Sequence, residues 1–268
     1  MDRPGWAPAD VDIERPSIAR VYDYYLGGSH NFAVDRDLGA KIVALAPETI
    51  SIARANRAFL RRAVKYCVAA GITQFIDFGS GIPTVGNVHD VAQGLDPRAR
   101  VLYIDIDLVA VAHGRAILAG NDRATVIQAD LRELDGILRR PELTELIDLS
   151  APVAVLMVSV LHFIRDEDDP AGIVSALASA TAPGSHVVIS HASTAGFRPE
   201  AFDAARRQYA KASSELVMRS REQIEALFKA WELVEPGLTF LSQWRPDSPD
   251  DIDPQARQTV FLAGVGLR

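Results

Sequence analysis

Small and acidic residues follow four of the apolar segments in this sequence, in a pattern that could bind a nucleoside. They are Gly79-Ser80-Gly81, Asp105-Ile106-Asp107, Ala129-Asp130-Leu131 and Ser159. The glycines allow the backbone to approach a ligand closely. A carboxylate after the second segment can accept hydrogen bonds from both ribose hydroxyls, and Asp130 can accept one from the amino group of adenine. The set predicts an adenosine-binding site.

The glycine turn differs from the motifs that bind the pyrophosphate or triphosphate of a nucleotide. In the dinucleotide fingerprint G-x-G-x-x-G, the third glycine would fall at Thr84. Gly86 comes two residues later, after Pro83, and the phosphate-loop pattern G-x-x-x-x-G-K-[ST] does not occur in the chain. The turn therefore favours an adenosine cofactor without a pyrophosphate over a nicotinamide dinucleotide.

The segments that carry these residues alternate with helical patterns. Seven segments read as strands: ITQFIDF, ARVLYID, ATVIQAD, PVAVLMVSVLHF, SHVVISHA, ELVEPGLTFLSQW and QTVFLAGVGL. Strands that alternate with helices indicate a parallel sheet with helices on both faces, in the α/β class. The last two strands have no helix between them, which predicts an antiparallel edge. Before them, residues 202–231 are predicted to be helical, with a break near Ser213-Ser214.

The chain divides into three segments within one predicted domain. Residues 1–15 are rich in Pro, Asp and Gly, and we expect a flexible N-terminus there. Residues 16–71 carry helical patterns interrupted at Gly27-Gly28, and form an N-terminal helical extension. Its stretch VYDYYLGGSHNF combines aromatic residues with glycine hinges, which suits a lid, although the tyrosines would also suit simple packing. Residues 72–268 form the predicted cofactor-binding core.

The composition gives no reason to expect a nucleic-acid or membrane partner. The net charge is -7 at pH 7, and the basic run from Arg54 to Lys65 has apolar residues between its charges, as in a solvated helix face. No apolar run is long enough to span a bilayer, and the N-terminus lacks a signal-peptide pattern, so we expect a cytoplasmic protein. Cys67 is the single cysteine, which excludes an intrachain disulfide.

The motifs resemble those of the class I S-adenosylmethionine-dependent methyltransferases. The strings FIDFGSGIPT, VLYIDID and VIQADL resemble the first three motifs of that class. A closer resemblance is to a bacterial family of methyltransferases of unknown substrate. It rests on RPSIARVYDYYLGGSHNFAVDR, ARANRAFLRRAV, GSGIPTVGNVHDVAQ, VSVLHFIRDEDDPAGIV and SQWRPD. Ser80, where many members of the wider class have glycine or alanine, and Pro83 depart from the class pattern.

The resemblance implies a Rossmann-like seven-stranded mixed sheet with the last strand antiparallel, and a lid made by the N-terminal helices. The implied cofactor is S-adenosylmethionine, with S-adenosylhomocysteine as its product. The candidate cofactor-binding residues are Asp77, Gly79, Ser80, Gly81, Asp105, Ile106, Asp130, Leu131, Ser159, Tyr22 and Arg57.

Three histidines could act as the base of a methyl transfer. His162 follows the fourth strand, near the expected methyl position, and is the first candidate. It could equally orient its loop or line the pocket without moving protons. His191 and His30 are weaker candidates. A base is not obligatory, since proximity alone can supply on the order of 7–11 kcal/mol.

The methyl acceptor is predicted to be a small molecule with a reactive oxygen or nitrogen. VSVLHF stands after the fourth strand in place of an N-P-P-Y-type sequence, which disfavours a DNA base as acceptor. The acidic run from Arg165 to Pro170 reads as a helix start, so we expect no metal site. A non-catalytic protein that binds the cofactor as a sensor or scaffold is the alternative, and a dinucleotide oxidoreductase is a weaker one.

Overall fold

In a computed structural model of the protein, the described residues contain eight strands that form one mixed sheet. The structure describes Gly5 and residues 7–83, 86–194, 207–210, 212–248 and 260–268. The strands are β1 (Gln74–Phe78), β2 (Arg100–Asp105), β3 (Ala124–Gln128), β4 (Ala154–Val158), β5 (His186–Ala192), β6 (Glu232–Leu233), β7 (Thr239–Phe240) and β8 (Phe261–Leu267). Their order is β3-β2-β1-β4-β5-β8-β6, and β7 also pairs with β8.

The first five strands are parallel, and the chain reverses its direction across the sheet between β1 and β4. β1 pairs with both β2 and β4, so the strands before and after this point extend to opposite sides. In sheets of this kind, ligands bind at the carboxyl ends of the strands where the order reverses. β8 is antiparallel to β5. The predicted α/β class and the antiparallel last strand are confirmed.

Within the described part of the chain, the sheet has eight strands, one more than the seven predicted. The segment from 232 to 244 was expected to be one strand, but it forms β6 and β7, which pair separately with the two ends of β8. Pro236 and Gly237 lie between them, and Gly237 has a positive φ of 79°. This turn separates the two short strands, because proline cannot donate to a ladder and glycine takes the left-handed conformation readily.

Helices cover both faces of the sheet. They are α1 (Ile18–Tyr25), α2 (Ala33–Leu45), α3 (Thr49–Ala69), α4 (Val88–Leu95), α5 (Leu108–Ile117), α6 (Leu134–Ile137), α7 (Pro141–Leu146), α8 (Pro170–Ala180) and α9 (Arg221–Ala226). Alternate residues of β1 enter different cores: Phe75 packs with Phe59 of α3, whereas Ile76 packs with Leu177 of α8. This alternation is the period of two expected of a strand that is buried on both faces.

Local caps define several helix ends. The Asp107 carboxylate accepts from the Val109 and Ala110 amides at the start of α5. At the start of α8, Asp169 accepts from the Gly172 amide, and Pro170 occupies the first helical position. The acidic run before Pro170 therefore begins a helix, as the sequence predicts. Among the described residues, no helix has the length and apolar character needed to cross a bilayer.

The predicted break near Ser213-Ser214 is present, but the helix predicted over 202–231 is wrong in its extent, because the break reaches from 212 to 220 and α9 ends at Ala226. Residues 207–209 are helical, but 214–218 have no regular structure, and α9 begins only at Arg221. The first part of the predicted helix, residues 202–206, lies outside the described residues. The cause is Arg219, whose buried guanidinium donates to the Leu161 and Ile164 carbonyls and to Asp166. These bonds tie the segment to the loop after β4.

The basic run of α3 is only partly solvated, contrary to the prediction. Arg62 is buried, and its guanidinium donates to the carbonyls of Trp244 (2.9 Å) and Leu241 (2.6 Å). Arg57 faces a cavity beside the sheet. Two of the basic side chains therefore have structural partners or a place in a binding site.

Candidate functional site

A cavity of about 250 Å³ lies at the carboxyl ends of β1, β2, β3 and β4. Its wall contains every candidate cofactor residue predicted from the sequence: Tyr22, Arg57, Asp77, Gly79, Ser80, Gly81, Asp105, Ile106, Asp130, Leu131 and Ser159. His162 also lines it. The structure thus brings the predicted residues together at the point where the strand order reverses. Their contacts with a cofactor stay a prediction.

The two glycines of the turn after β1, Gly79 and Gly81, differ in how closely other residues surround them. Both have positive φ, 66° at Gly79 and 68° at Gly81. A Cβ added at Gly79 would lie 2.4 Å from a methyl carbon of Val160, so this position requires glycine for the turn to pack against the segment after β4. A Cβ at Gly81 would have no described atom within 4 Å. Gly81 therefore leaves its backbone open to a ligand.

Asp105 holds this turn in place. One of its oxygens, Oδ2, accepts from the Gly81 amide (2.7 Å), and Oδ1 accepts from the Asp107 amide (2.8 Å). The carboxyl group is buried, which raises its pKa to about 6 although the amide bonds lower it. Each oxygen keeps a second acceptor site, so Asp105 can position the turn and accept from a ribose as well.

Asp77 and Arg57 both line the cavity and interact through their charges; they are here called the Arg57–Asp77 pair. Burial raises the pKa of Asp77 to about 7; the Arg57 charge lowers that pKa and the Asp105 charge raises it. Arg57 donates from Nη2 to the Gly86 carbonyl (3.3 Å), while its buried Nε has no hydrogen-bond partner among the described residues. A buried N–H without an acceptor is costly. The pair fits the amino-acid end of S-adenosylmethionine, since Arg57 suits a carboxylate and Asp77 an ammonium group.

Asp130 is more heavily engaged than the sequence indicated. Both of its oxygens accept from the Arg132 guanidinium, with contacts of 2.5–3.0 Å, and these bonds lower the pKa of Asp130. Leu131 is buried beside it, whereas Ile106 is 56% exposed. An adenine amino group would share Asp130 with Arg132, a residue that the sequence did not single out.

Tyr22 is held rigidly over the cavity. Its hydroxyl donates to the Ala53 carbonyl (3.1 Å) and accepts from the Asn56 amide nitrogen (3.0 Å). The Asn56 oxygen accepts from the Ser190 hydroxyl of β5 (2.6 Å). Tyr22 therefore presents its ring, with its hydroxyl already satisfied. Asn56 carries no local sequence signal, because its partners are 34 and 134 residues away.

A buried ionic cluster fixes α1 over the site. Arg20 pairs with Asp35 of α2 (2.9 Å) and lies 3.5 Å from Asp107 at the end of β2. The Ser17 hydroxyl donates to Asp107, and the Ser17 amide donates to Asp35 (2.9 Å). Burial raises the pKa of Asp35 despite these donors. The cluster connects the segment expected to form a lid directly to the strand that bears Asp105.

Replacing Arg20 with alanine is expected to lower the free energy of unfolding by about 3–5 kcal/mol, because two buried carboxylates lose their cation. Urea titration of the ligand-free protein would measure the change. Lys41→Ala is the matched control, because Lys41 is an exposed cation on α2. A loss no larger than that of the control would show that the cluster does not hold α1.

The environment of His162 favours a role in lining the pocket over a role as the base of a methyl transfer. The Ala192 amide donates to Nδ1 (3.4 Å), which leaves Nε2 to carry the proton of the neutral ring. Burial lowers the pKa of His162 well below its ordinary value, and the neighbouring His191 and Arg219 lower that pKa further. Such a ring can donate a hydrogen bond, but it has no free lone pair to accept a proton.

Ser159, three residues before His162, has a φ of 64°, which is uncommon outside glycine.

The two weaker histidine candidates lie elsewhere. His191 is fully buried, accepts from Arg219 at Nε2 (2.8 Å) and contacts the Ala192 carbonyl at Nδ1 (2.7 Å). Burial lowers the pKa of His191 to about 3. His30 contacts His113 of α5, with ring centroids 3.7 Å apart and ring planes tilted by 52°. Neither His191 nor His30 belongs to the described cavity wall.

Comparison with known proteins agrees with this geometry. The model of a family described as S-adenosyl methyltransferase matches residues 4–268. A crystal structure of a protein from Thermobifida fusca assigned to the methyltransferases is 39% identical, with 99% of each chain covered and a TM-score of 0.92. A DUF574 family protein from Streptomyces avermitilis is 33% identical over 96% of this chain and 99% of its own, with a TM-score of 0.91. Among curated proteins, none matches the chain.

A more distant likeness concerns the fold alone. Human N-acetylserotonin methyltransferase, solved in complex with S-adenosylmethionine, is 12% identical, with a TM-score of 0.50. The alignment covers 92% of this chain and 62% of the human one. Together, the match over nearly the whole sequence and the two similar structures show that this chain belongs to the S-adenosyl methyltransferase family.

Proposed function

We propose that the protein binds S-adenosylmethionine and transfers its methyl group to an oxygen or nitrogen of a small molecule. The observation that carries this proposal is the cavity, which joins the residues suited to the cofactor with uncharged space beyond β4. Gly81 with its open backbone, Asp105 at the end of β2, and the Arg57–Asp77 pair support it. Each suits a different part of the cofactor.

When bound, S-adenosylmethionine would supply an electrophilic methyl group on its sulfonium. Asp105 would accept from the ribose hydroxyls while it keeps the Gly81 turn in place. Arg57 would bind the carboxylate of the amino-acid end, and Asp77 its ammonium group. Tyr22 and the rest of α1 would exclude water above the site. The role of these residues is to align and enclose, which is where proximity has its effect.

Calorimetric titration with S-adenosylmethionine, S-adenosylhomocysteine and NAD tests the cofactor. We expect binding of the first two with a Kd on the order of micromolar, about -8 kcal/mol, and no binding of NAD. Absence of binding by a folded sample would mean that the glycine turn serves only the fold. Binding of NAD instead would favour the oxidoreductase alternative.

Methyl transfer itself needs a second experiment. The protein is incubated with methyl-labelled S-adenosylmethionine and a fractionated metabolite extract, and label is sought in new small molecules. A product labelled at oxygen or nitrogen is expected, and the Asp105→Ala protein should yield none. Tight cofactor binding without any labelled product would favour the sensor or scaffold alternative.

A further inference from the structure

The charged residues of the cavity wall are confined to one part of the chain. They lie between residues 48 and 132 and are Glu48, Arg57, Asp77, Asp105, Asp107, Asp130 and Arg132. From 158 to 261, the described wall residues include no Asp, Glu, Lys or Arg. All charged residues of the described wall therefore come from the first half of the chain, and the second half contributes only uncharged side chains.

The order of the strands in the sheet places the aspartates of the wall and the uncharged residues of the second half on opposite sides of the cavity. Asp77, Asp105 and Asp130 lie in or just after β1, β2 and β3. The uncharged wall residues from 158 to 261 lie at the ends of β4 and β5, at the start of β8, or in the segments after β4 and β5. Four strand spacings separate β2 from β8, about 19 Å at roughly 4.8 Å each. Gly79 and Ser159 lie between the two sides, at the ends of β1 and β4.

Five aromatic rings form a continuous surface on the uncharged side, here called the aromatic wall. They are Tyr25, Tyr209, Phe163, His162 and Phe261. The Tyr25 and Tyr209 hydroxyls are 3.1 Å apart, so one donates a hydrogen bond to the other. Ring centroids are 6.1 Å apart for Phe163 and Tyr209, 4.4 Å for His162 and Phe163, and 5.3 Å for His162 and Phe261.

The rings are not simply core. Phe163 and Phe261 keep part of their surface exposed, although each contacts other rings of the wall. Apolar side chains that line a cavity beside a reactive position are typical of a small-molecule subsite. Leu216 and Met218 extend the apolar surface, and the thioether of Met218 adapts to varied shapes.

We propose that the aromatic wall binds the methyl acceptor, and that this acceptor is an uncharged molecule with a planar apolar ring system. The inference rests on the proposed function and adds the class of its substrate. A charged acceptor would lose its hydration here without meeting an opposite charge on the described wall, which is costly. A planar ring would instead pack against Phe163 and Phe261 in an offset-stacked or edge-to-face arrangement. Nε2–H of His162 is the donor that would orient the reactive oxygen or nitrogen.

Titration with 1-naphthol, an uncharged planar probe, tests the inference, both alone and with saturating S-adenosylhomocysteine. We expect a Kd on the order of 100 μM or tighter, as for a small ligand that fits its pocket well. 1-Naphthoate, which is planar but anionic, should bind at least about 10-fold more weakly, because its charge has no partner. Phe163→Ala and Phe261→Ala should each weaken naphthol binding roughly 5-fold.

Tyr66→Leu is the matched control. Tyr66 packs on Trp244 and His186, and does not belong to the described cavity wall. This variant should keep the wild-type affinity for naphthol, and all three variants should keep that for S-adenosylhomocysteine. Naphthol that fails to bind, binds no better than naphthoate, or binds the two alanine variants normally would overturn the inference. If S-adenosylhomocysteine still binds in those cases, the proposed function stands.

Discussion

Asp105→Ala is expected to weaken binding of S-adenosylhomocysteine by about 100-fold or more, since two hydrogen bonds to a charged group contribute roughly 1.5–3 kcal/mol each. The substitution also leaves the Gly81 and Asp107 amides without their acceptor, so the turn after β1 loses its support. Both effects act in the same direction. Calorimetric titration of the folded variant gives the change in Kd directly.

Two further variants separate the charge of Asp105 from its shape and from nonspecific effects. Asp105→Asn keeps one oxygen in place and should lie between wild type and Asp105→Ala. Asp122→Ala removes an exposed carboxylate just before the amino end of β3, opposite the cavity, and should bind normally. Unchanged affinity in folded Asp105→Ala would show that Asp105 does not bind the ribose hydroxyls.

The features that could be predicted from the sequence have local causes. Gly79-Ser80-Gly81 after a short apolar run predicts a strand followed by a turn, because glycine alone accepts such backbone angles easily. Asp105 is the last residue of β2 and Asp130 comes two residues after β3, so parallel pairing places them at the same end of the sheet. The alternation of strands and helices then predicts the α/β class. No long-range contact had to be known.

The remaining features depend on pairs that are distant along the chain. The Arg20–Asp107 contact spans 87 residues, and the aromatic wall combines four separate segments. Arg219 prevents helix formation across 212–220 through bonds to residues more than fifty positions earlier. In each case the local pattern was compatible with another outcome. Tertiary contacts determine which local structure each of these segments adopts.

Binding of S-adenosylhomocysteine is also expected to strengthen as the pH rises from 6 to 8. The pKa of Asp77 is raised to about 7 by burial, so much of this carboxyl is protonated below neutrality. An ammonium group on the ligand favours the ionised form, and binding then releases a proton. Affinity should increase by up to about 10-fold per pH unit below 7 and level off above it. Titrations at pH 6, 7 and 8 would show this.

Asp77→Asn isolates the contribution of this carboxyl. The variant should bind more weakly at pH 8 and lose the part of the pH dependence due to Asp77, while any dependence due to the ligand or to Asp105 remains. If the affinity for S-adenosylhomocysteine depends on pH in the same way in wild type and variant, Asp77 does not contact the ammonium group of the ligand.

The stability of the ligand-free protein provides an independent check on the same carboxyl. Its pKa in the folded state lies above the ordinary value of 3.8, so it favours folding below about pH 4, and this contribution is lost as the pH rises through 7. Asp77→Asn should therefore be more stable than wild type at pH 8, on the order of 2 kcal/mol. Urea titration at pH 8 measures the difference. A variant that is less stable there would mean that Arg57 already compensates the buried charge, and the carboxyl would then be a structural partner of Arg57.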